Sequence, residues 1–416
     1  MNMREMKDSG IEWIADIPEH WSVSKIGGLY SLRVTKVSDR DYPPLSVTNK
    51  GILPQLETAA KTNAHDDRKL VCKGDFAINS RSDRRGSCGI SSYTGSVSLI
   101  NTILRPMTEM HPQYYDWLFH TIQFGDEFYK WGHGIVDDLW TTGWQDMKKI
   151  SIPTPPITEQ AVIADFLDEQ CAEIDTLVTD IQSQIEALEE YKRSVITEVV
   201  TKGLDPDVEM RDSGIAWVGD IPAHWLVEKV KFHLQRNEPR NPGDKQVLSV
   251  YREYGVIPKD SRDDNHNVTS EDTSNYKYVV PGNLVINKMK AWQGSMGVSE
   301  YEGIVSPAYF IYKFTDNQIM PKYLHYLFRS CYKDEFRRIS GGIREEQWDL
   351  SPYEFSNTLL LIPPTDEQNR IVSYIDARIS EIEFAITEKK QQIETIEEYK
   401  KSLIFEYVTG KKEVQA

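Results

Sequence analysis

The sequence predicts an α+β protein with two α/β globular domains, each followed by a long helix, and the two helices are expected to form an antiparallel coiled coil. Three observations predict this architecture. The chain repeats itself at an offset near 208 residues, two long segments carry heptad patterns, and the other segments contain short β-like runs. The expected boundaries are 1–155 for the first domain, 156–203 for its helix, 204–363 for the linker and second domain, and 364–416 for the second helix and tail.

The internal repeat covers nearly the whole chain. MKDSGIEWIADIPEHW from Met6 matches MRDSGIAWVGDIPAHW from Met210 at 11 of 16 positions, and GSCGISSYTGSVS from Gly86 matches GSMGVSEYEGIVS from Gly294 at 8 of 13. Two copies are too few for a solenoid, so we interpret them as two globular domains. Strands are expected in runs rich in Val, Ile, Tyr and Phe and punctuated by glycine, for example 76–78, 95–104, 284–286 and 304–314.

The long helices are predicted over 159–201 and 367–409, where apolar residues recur every seven positions. Lysines interrupt the apolar seams at Lys192, Lys389 and Lys400, and a lysine at such a position costs stability but can fix register. Two helices that pack separately on their own domains are the alternative. The residues expected at the helix–helix contact are Leu167, Ile174, Ile181, Leu188, Ile375, Ile382, Ile396 and Leu403.

The net charge of −16 argues at first against binding to nucleic acid, but the acidic residues concentrate in the helices. Residues 156–203 carry 11 acidic and 3 basic side chains, and residues 364–412 carry 10 and 8. The two helical segments therefore hold −10 of the total charge. A local DNA-binding patch on the globular domains is compatible with this distribution.

Sequence motifs for catalysis and metal binding are not found. The chain contains no GxxxxGK[ST] phosphate loop, no HExxH, no GxSxG and no dinucleotide-binding glycine fingerprint. Its four cysteines have no CxxC spacing, which predicts reduced thiols in a cytoplasmic protein and no zinc site. No apolar run approaches 18 residues and no secretory signal is visible, so no membrane span is expected. His20 and His224 each precede a tryptophan, and aromatic packing explains them better than catalysis.

One short segment differs completely between the copies although its flanks match, and we call it the tip. The first tip is SRSDRR, 80–85, and the second is KMKAWQ, 288–293. A shared frame with different polar, basic and aromatic tips is what two recognition loops would show, because arginine, lysine and glutamine can contact bases or phosphates. Two solvated tips that drifted apart are the alternative. The candidate DNA-binding residues are Ser80, Arg81, Ser82, Arg84, Arg85, Lys288, Lys290, Trp292, Gln293 and, in the segment GIREEQW, Arg344.

The order of these features resembles the specificity subunit of type I restriction–modification enzymes. DSGIEWIADIPEHW opens the first half, PPITEQ and PPTDEQ lead into the long helices, and EEYKRSVITEVVTKG and EEYKKSLIFEYVTGK close them. The resemblance implies a non-catalytic chain with two target recognition domains that bind an asymmetric bipartite site in double-stranded DNA. It also implies that the helices are a spacer that docks methyltransferase and restriction subunits, two of each. S-adenosylmethionine, ATP and magnesium would belong to those partners, with no cofactor in this chain.

A coiled-coil scaffold whose two globular domains bind proteins is the main alternative, and an enzyme with an unrecognised site is a more distant one. A neighbouring reading frame for an adenine methyltransferase would favour the DNA-recognition hypothesis. Sequence-specific retardation of duplex DNA by the assembled complex would favour it as well.

Overall fold

The computed structural model describes residues 4–55, 65–81, 84–135, 140–240, 243, 245–252, 254–261, 272–342 and 348–414. The chain divides into two compact units: Met1–Gln182 together with Lys390–Ala416, and Ser183–Lys389. Each unit thus combines one globular half with parts of both long helices. The domain boundaries expected from the sequence follow chain order instead, and they stay a prediction.

The first unit mixes short strands and helices. Its described strands are β1 Met6–Asp8, β2 Asp16–Pro18, β3 Ser22–Lys25, β4 Tyr30–Leu32, β5 Lys36–Val37, β6 Leu45–Thr48, β7 Gly51–Pro54, β8 Arg68–Val71, β9 Phe76–Asn79, β10 Cys88–Ile90, β11 Gly95–Val97, β12 Asn101–Pro106 and β13 Ser151–Thr154. Its helices are α1 Ile26–Leu29, α2 Pro112–Phe119, α3 Ile122–Lys130, α4 Trp144–Met147 and the beginning of α5, Ile157–Lys202.

Strand β9 lies at the centre of the first unit, within an antiparallel sheet of order β10-β9-β12-β4. Alternate side chains of a strand point to opposite faces. Phe76 and Ile78 join the core formed with α2 and α3, where the rings of Phe76 and Phe119 are 4.3 Å apart. Ala77 faces the other way, into a smaller core with the hairpin β6–β7 and the sheet β11-β8-β5. Burial on both faces fixes the register of β9, and therefore the place where the tip begins.

The second unit repeats this plan. Its described strands are β14 Met210–Asp212, β15 Asp220–Pro222, β16 Leu226–Lys229, β17 Leu234–Arg236, β18 Leu248–Tyr251, β19 Gly255–Pro258, β20 Lys277–Val279, β21 Leu284–Asn287, β22 Met296–Val298, β23 Gly303–Val305, β24 Tyr309–Phe314, β25 Ser340–Gly341, β26 Asp349–Leu350 and β27 Leu359–Ile362. Its helices are α6 Val230–His233, α7 Pro321–Ser330, α8 Lys333–Arg338, α9 Pro352–Asn357 and most of α10, Thr365–Val408. The central sheet has the order β17-β24-β21-β22, and β21 again contributes to two cores, Leu284 and Ile286 to one and Val285 to the other.

Two of the predicted strands are each divided in two. The run 95–104 forms β11 and β12, and the run 304–314 falls into β23 and β24. Turns separate the pieces, because the amide of Asn101 bonds to the carbonyl of Ser98 at 3.1 Å and that of Tyr309 bonds to Ser306 at 3.0 Å. A continuous apolar run therefore supplies strands to two different sheets.

Helices α5 and α10 begin two residues before the predicted starts. The reason is that the carbonyls of Pro156 and Pro364 accept the first helical bonds, from the amides of Gln160 and Gln368, each at 2.9 Å. Proline has no amide hydrogen, and an amide hydrogen at the start of a helix would have no partner within the helix.

Within the first unit, α5 and α10 run antiparallel. Phe166 of α5 packs on Tyr407 with ring centroids 4.5 Å apart. Further along α5, Asp175 accepts a hydrogen bond from Lys400, which comes earlier on α10, at 2.6 Å. Because the order of the partners reverses, the chain directions of the two helices are opposite.

The helical segments of the second unit have the same relation. Gln184 of α5 accepts a hydrogen bond from Lys389 at 2.5 Å. Further along α5, Lys192 lies 3.5 Å from Glu383, which comes earlier on α10. Each lysine predicted to interrupt a seam therefore has a polar partner on the facing helix.

The predicted seam residues are all withdrawn from solvent to some degree. Leu167 and Ile375, which occupy equivalent places in the repeat, are both 0% exposed. Three more are buried: Ile181, Ile382 and Leu403. The remaining ones are half-buried: Ile174, Leu188 and Ile396.

A glutamate at the start of α5 joins the helix to the first globular half. Glu159 accepts hydrogen bonds from the Trp21 indole at 2.9 Å and from Arg4 at 2.5 Å, and its other oxygen lies 2.5 Å from His20 Nε2. Burial raises the pKa of Glu159, but the bonds from Trp21, His20 and Arg4 outweigh it, and the pKa lies below its usual value. A structural contact with the helix therefore accounts for His20.

Glu367 at the start of α10 repeats this arrangement in the second unit. It accepts from the Trp225 indole at 3.1 Å, and its other oxygen lies 2.7 Å from His224 Nε2. The repeated dipeptide of histidine and tryptophan thus has the same structural role in both halves.

Glycines Gly203 and Gly410 follow the ends of α5 and α10 with φ of +77° and +72°. A Cβ on Gly410 would come within 2.5 Å of Pro18 Cδ, and one on Gly203 within 3.0 Å of Glu367 Oε1. Both positions therefore need glycine for the left-handed backbone and for space. The endings VTKG and VTGK differ in order, yet each supplies this glycine.

Candidate nucleic-acid interface

The first tip connects β9 to β10 at the edge of the central sheet. The carbonyl of Ser80 accepts from the amide of Thr142 at 3.0 Å, and the amide of Arg81 donates to Asn79 Oδ1 at 3.1 Å. Such a side-chain bond two residues on is characteristic of asparagine in turns. Ser80 is half-buried, whereas the arginines that follow are exposed: Arg81, Arg84 and Arg85. The tip thus presents arginine side chains from a backbone held by its neighbours.

Arg85 has the most defined geometry among these arginines. Its guanidinium lies 4.1 Å from the centroid of the Tyr129 ring, which in turn stacks on Trp140 at 5.5 Å. Nη1 also donates to Asp126 Oδ1 at 3.0 Å, and both partners are about half exposed, at 53% and 55%. An exposed ion pair of this kind contributes about 1 kcal/mol or less, so Asp126 holds the guanidinium of Arg85 only weakly.

An open groove lies between the first tip and the turn of hairpin β6–β7. Its lining includes Thr48 and Asn49 of the turn and the three arginines of the tip. This turn is not among the DNA-binding residues predicted from the sequence. The sequence does contain a signal for it, since the apex of the turn differs between the two copies while its flanks match. The first copy has LSV-TNK-G and the second has LSV-YREY-G.

The second tip connects β21 to β22. The carbonyl of Lys288 accepts from the amide of Leu350 at 2.9 Å, and its Nζ lies 3.1 Å from Asp349 Oδ2. The indole of Trp292 packs edge-on against Trp348, with centroids 5.7 Å apart. Lys288, Trp292 and Gln293 are half-buried, and Lys290 is exposed.

The two tips share a frame and differ in what the frame carries. Ser80 and Lys288 occupy equivalent places, and the carbonyl of each accepts a backbone bond from one of two equivalent residues, Thr142 and Leu350. Beside them lie equivalent tryptophans, Trp140 and Trp348, one near an arginine on tyrosine and the other near Trp292. Two of the candidate residues, Ser82 and Arg344, lie outside the described residues.

Neither metal chemistry nor a membrane span is indicated for the described part of the chain. Its His, Cys, Asp and Glu side chains form no group of three that could hold a metal ion. None of the helices described is long and apolar enough to cross a membrane.

Comparison with known sequences gives one family. Residues 233–395 match the family described as Type I restriction modification DNA specificity domain. The Type I restriction enzyme MjaVIII specificity subunit of Methanocaldococcus jannaschii is 24% identical over 427 residues, which cover 95% of this chain and 93% of that protein. A protein of the same organism with the provisional name of type I restriction enzyme MjaX specificity subunit is 23% identical over 276 residues. That match spans 64% of this chain and only 60% of the relative's length.

Comparison with solved structures gives the same fold along most of the chain. A chain solved in work on complex assembly and conformational transition of the type I R-M system superimposes with a TM-score of 0.68 at 11% identity, covering 95% of this chain and 99% of that one. The HsdS subunit from Thermoanaerobacter tengcongensis superimposes with a TM-score of 0.53 at 14% identity, covering 95% and 98%. At these identities the likeness concerns the fold, a mixture of α and β structure with long helices.

Proposed function

We infer that this chain is a specificity subunit of a type I restriction–modification enzyme and that it recognises the DNA target of that enzyme. The family match falls in the second half, and the MjaVIII relative extends the similarity to 95% of the chain. A specificity subunit of this family selects the DNA sequence and is itself non-catalytic. The observation that carries the choice of DNA surface is the pair of tips, which share one frame and differ at all six side chains.

Each tip offers chemistry suited to DNA. Arg84 and Arg85 can each bind guanine O6 and N7 in the major groove or a phosphate, and Gln293 can bind adenine N6 and N7. Lys290 is exposed and suited to a phosphate. Lys288 pairs with Asp349, but both are partly exposed, at 33% and 46%, so a phosphate can compete for the lysine. Because the tips differ, the two half-sites should differ in sequence.

The two globular halves would be two target recognition domains, and α5 with α10 would form one antiparallel coiled coil that fixes the gap between the half-sites. Heptads over both helices and the antiparallel contacts inside each unit support this arrangement. The seam lysines Lys192 and Lys400 favour one register, since each has an acidic partner on the facing helix.

The partners would be double-stranded DNA, two methyltransferase subunits and two restriction subunits in the cytoplasm. S-adenosylmethionine, ATP and magnesium would be held by those subunits, and this chain would hold no cofactor. The assignment of the cofactors to the partner subunits is supported by the sequence similarity to specificity subunits, which select the DNA target.

The experiment uses the full chain assembled with its methyltransferase subunits. Methylation is measured on a duplex library in which both half-sites are randomised. Arg84→Ala with Arg85→Ala should relax the first half-site or weaken binding to all sequences, and Gln293→Ala should relax the second half-site only. For each variant, the other half-site is the control, because its base preference should not change. If the wild-type complex assembles but shows no preference for any DNA sequence, the result would instead support a protein-binding scaffold.

A further inference from the structure

The turn of hairpin β6–β7 is fixed by a threonine. The Thr48 hydroxyl donates to the carbonyl of Gly51 at 2.9 Å and accepts from the amide of Lys50 at 3.1 Å. Gly51 has a φ of +93°, which favours glycine at the end of the turn. The side chains of Asn49 and Lys50 are exposed at the apex. The turn is thus preorganised, and its two apical side chains point to solvent.

Two glycines hold this hairpin against the strand that follows the tip. A Cβ on Gly89 of β10 would come within 2.9 Å of Gly51 Cα, which leaves no room for a side chain between them. The second unit repeats the contact, since a Cβ on Gly297 would lie 3.2 Å from Gly255 Cα. In both halves, therefore, a close contact between two glycine backbones places the turn beside the tip.

The groove between the turn and the first tip has a composition suited to DNA. The lining residues that can bind DNA are Asn49 of the turn and Arg81, Arg84 and Arg85 of the tip. No acidic residue occurs among the described residues that line the groove. Arginine and asparagine are the side chains that bind guanine and adenine edges with two hydrogen bonds. Lys50, exposed next to Asn49 at the apex of the turn, adds a positive charge that can reach a phosphate.

The apex of the equivalent turn in the second unit has a different sequence on the same scaffold. Thr48–Lys50 corresponds to Tyr251–Tyr254, and the flanking LSV and glycine are retained. Arg329 of α7 donates to the carbonyl of Arg252 at 2.6 Å, which positions that turn. Tyr254 is 54% exposed. The turns therefore vary as the tips do, with a constant frame and different exposed side chains.

We propose that each globular half recognises DNA with two adjacent elements, the tip and the hairpin turn beside it. In the first half, Asn49 contacts an adenine edge next to the bases reached by the tip arginines, and Lys50 contacts a phosphate. In the second half, Arg252 is the corresponding contact. This proposal rests on the proposed function and adds specificity-determining residues to it.

The test uses the full chain in complex with its methyltransferase subunits and a duplex library randomised in both half-sites. Asn49→Ala should lower methylation of the preferred sequence about 5- to 150-fold and relax one position of the first half-site. Lys50→Ala should weaken binding to all sequences and reduce the slope of log K against log salt by about 0.9. Arg252→Ala should affect only the second half-site. The matched control is Lys73→Ala, because Lys73 is exposed in the turn before β9, at the opposite end of that strand from the tip.

The outcomes separate this proposal from the function on which it rests. A wild-type complex without any sequence preference would overturn the proposed function. If the wild type and the tip variants behave as expected while Asn49→Ala, Lys50→Ala and Arg252→Ala match Lys73→Ala, the hairpin turns are not recognition elements. Equal weakening of all sequences by Asn49→Ala, with unchanged base preference, would overturn the adenine contact.

Discussion

Two leucines on the same helix test how much the buried face of α5 stabilises the first unit. Leu167 is a seam residue that is 0% exposed in the core of the first unit, whereas Leu177 lies off the seam and is 48% exposed. Leu167→Ala removes buried carbons and leaves a cavity, which costs about 3–5 kcal/mol. Leu177→Ala makes the same chemical change at the surface and should cost about 0.5 kcal/mol. The ratio of folded to unfolded first unit should thus fall more than 100-fold for one variant and only about twofold for the other.

The assay is urea unfolding of the full chain, combined with hydrogen exchange of peptides from each unit. Exchange is needed because a chain with two compact units need not unfold in one step. Leu167→Ala should accelerate exchange in peptides of the first unit, and Ile375→Ala, at the equivalent place, in peptides of the second. If Leu167→Ala and Leu177→Ala destabilise equally, or if Leu167→Ala costs less than about 1 kcal/mol, the buried face of α5 does not stabilise the first unit.

Two further predictions concern the spacer and the helix start. Insertion of one heptad after Gln184 and another after Lys389, its partner across the helices, keeps the seam in phase and adds about 10 Å, so the gap between unchanged half-sites should widen by about three base pairs. Methylome sequencing of a host that carries the intact system would measure this, and altered half-sites with an unaltered gap would contradict the spacer. Glu159→Gln should lower the melting temperature at pH 7. The pKa of Glu159 in the folded state lies below its usual value, so the charged carboxylate stabilises the folded state at any pH above that usual value. Stability from this source is lost as the pH falls below about 4, so the wild type and Glu159→Gln should converge there, and a difference that does not change with pH would refute the ionic contribution.

The sequence was sufficient for features that depend on local pattern. Heptads require only a repeated spacing along one segment, and the predicted helices began within two residues of the structural ones. The repeat predicted that equivalent segments, such as 76–78 and 284–286, would be equivalent strands, as β9 and β21 are. The long run 95–104 was misjudged, because apolar composition does not reveal the turn at Ser98 that sends its two parts into different sheets.

Features that depend on contacts between distant segments could not be predicted in this way. The guanidinium of Arg85 lies on Tyr129, and nothing in either segment identifies the other as its partner. The groove beside the first tip forms because the backbones of Gly51 and Gly89 are in close contact. This contact depends on how a hairpin packs on a separate sheet. The tips are identified by their variation between the copies, and the turn with Asn49 varies in the same way. Only the fold shows that this turn lies beside the first tip.

The membership of Lys390–Ala416 in the first unit has a consequence for synthesis on the ribosome. The core of that unit includes Leu403 and Val408, and the Tyr114 hydroxyl donates to the carbonyl of Val408 at 2.7 Å. Translation at about 5–20 residues per second needs roughly 10–40 s to pass from Gln182 to Lys390. During this time the earlier-made half lacks part of its core, whereas Ser183–Lys389 is contiguous and can fold as soon as it emerges. We therefore expect the second unit to complete its fold before the first, and a nascent chain that stalls near its end to expose apolar surface of its amino-terminal half to chaperones.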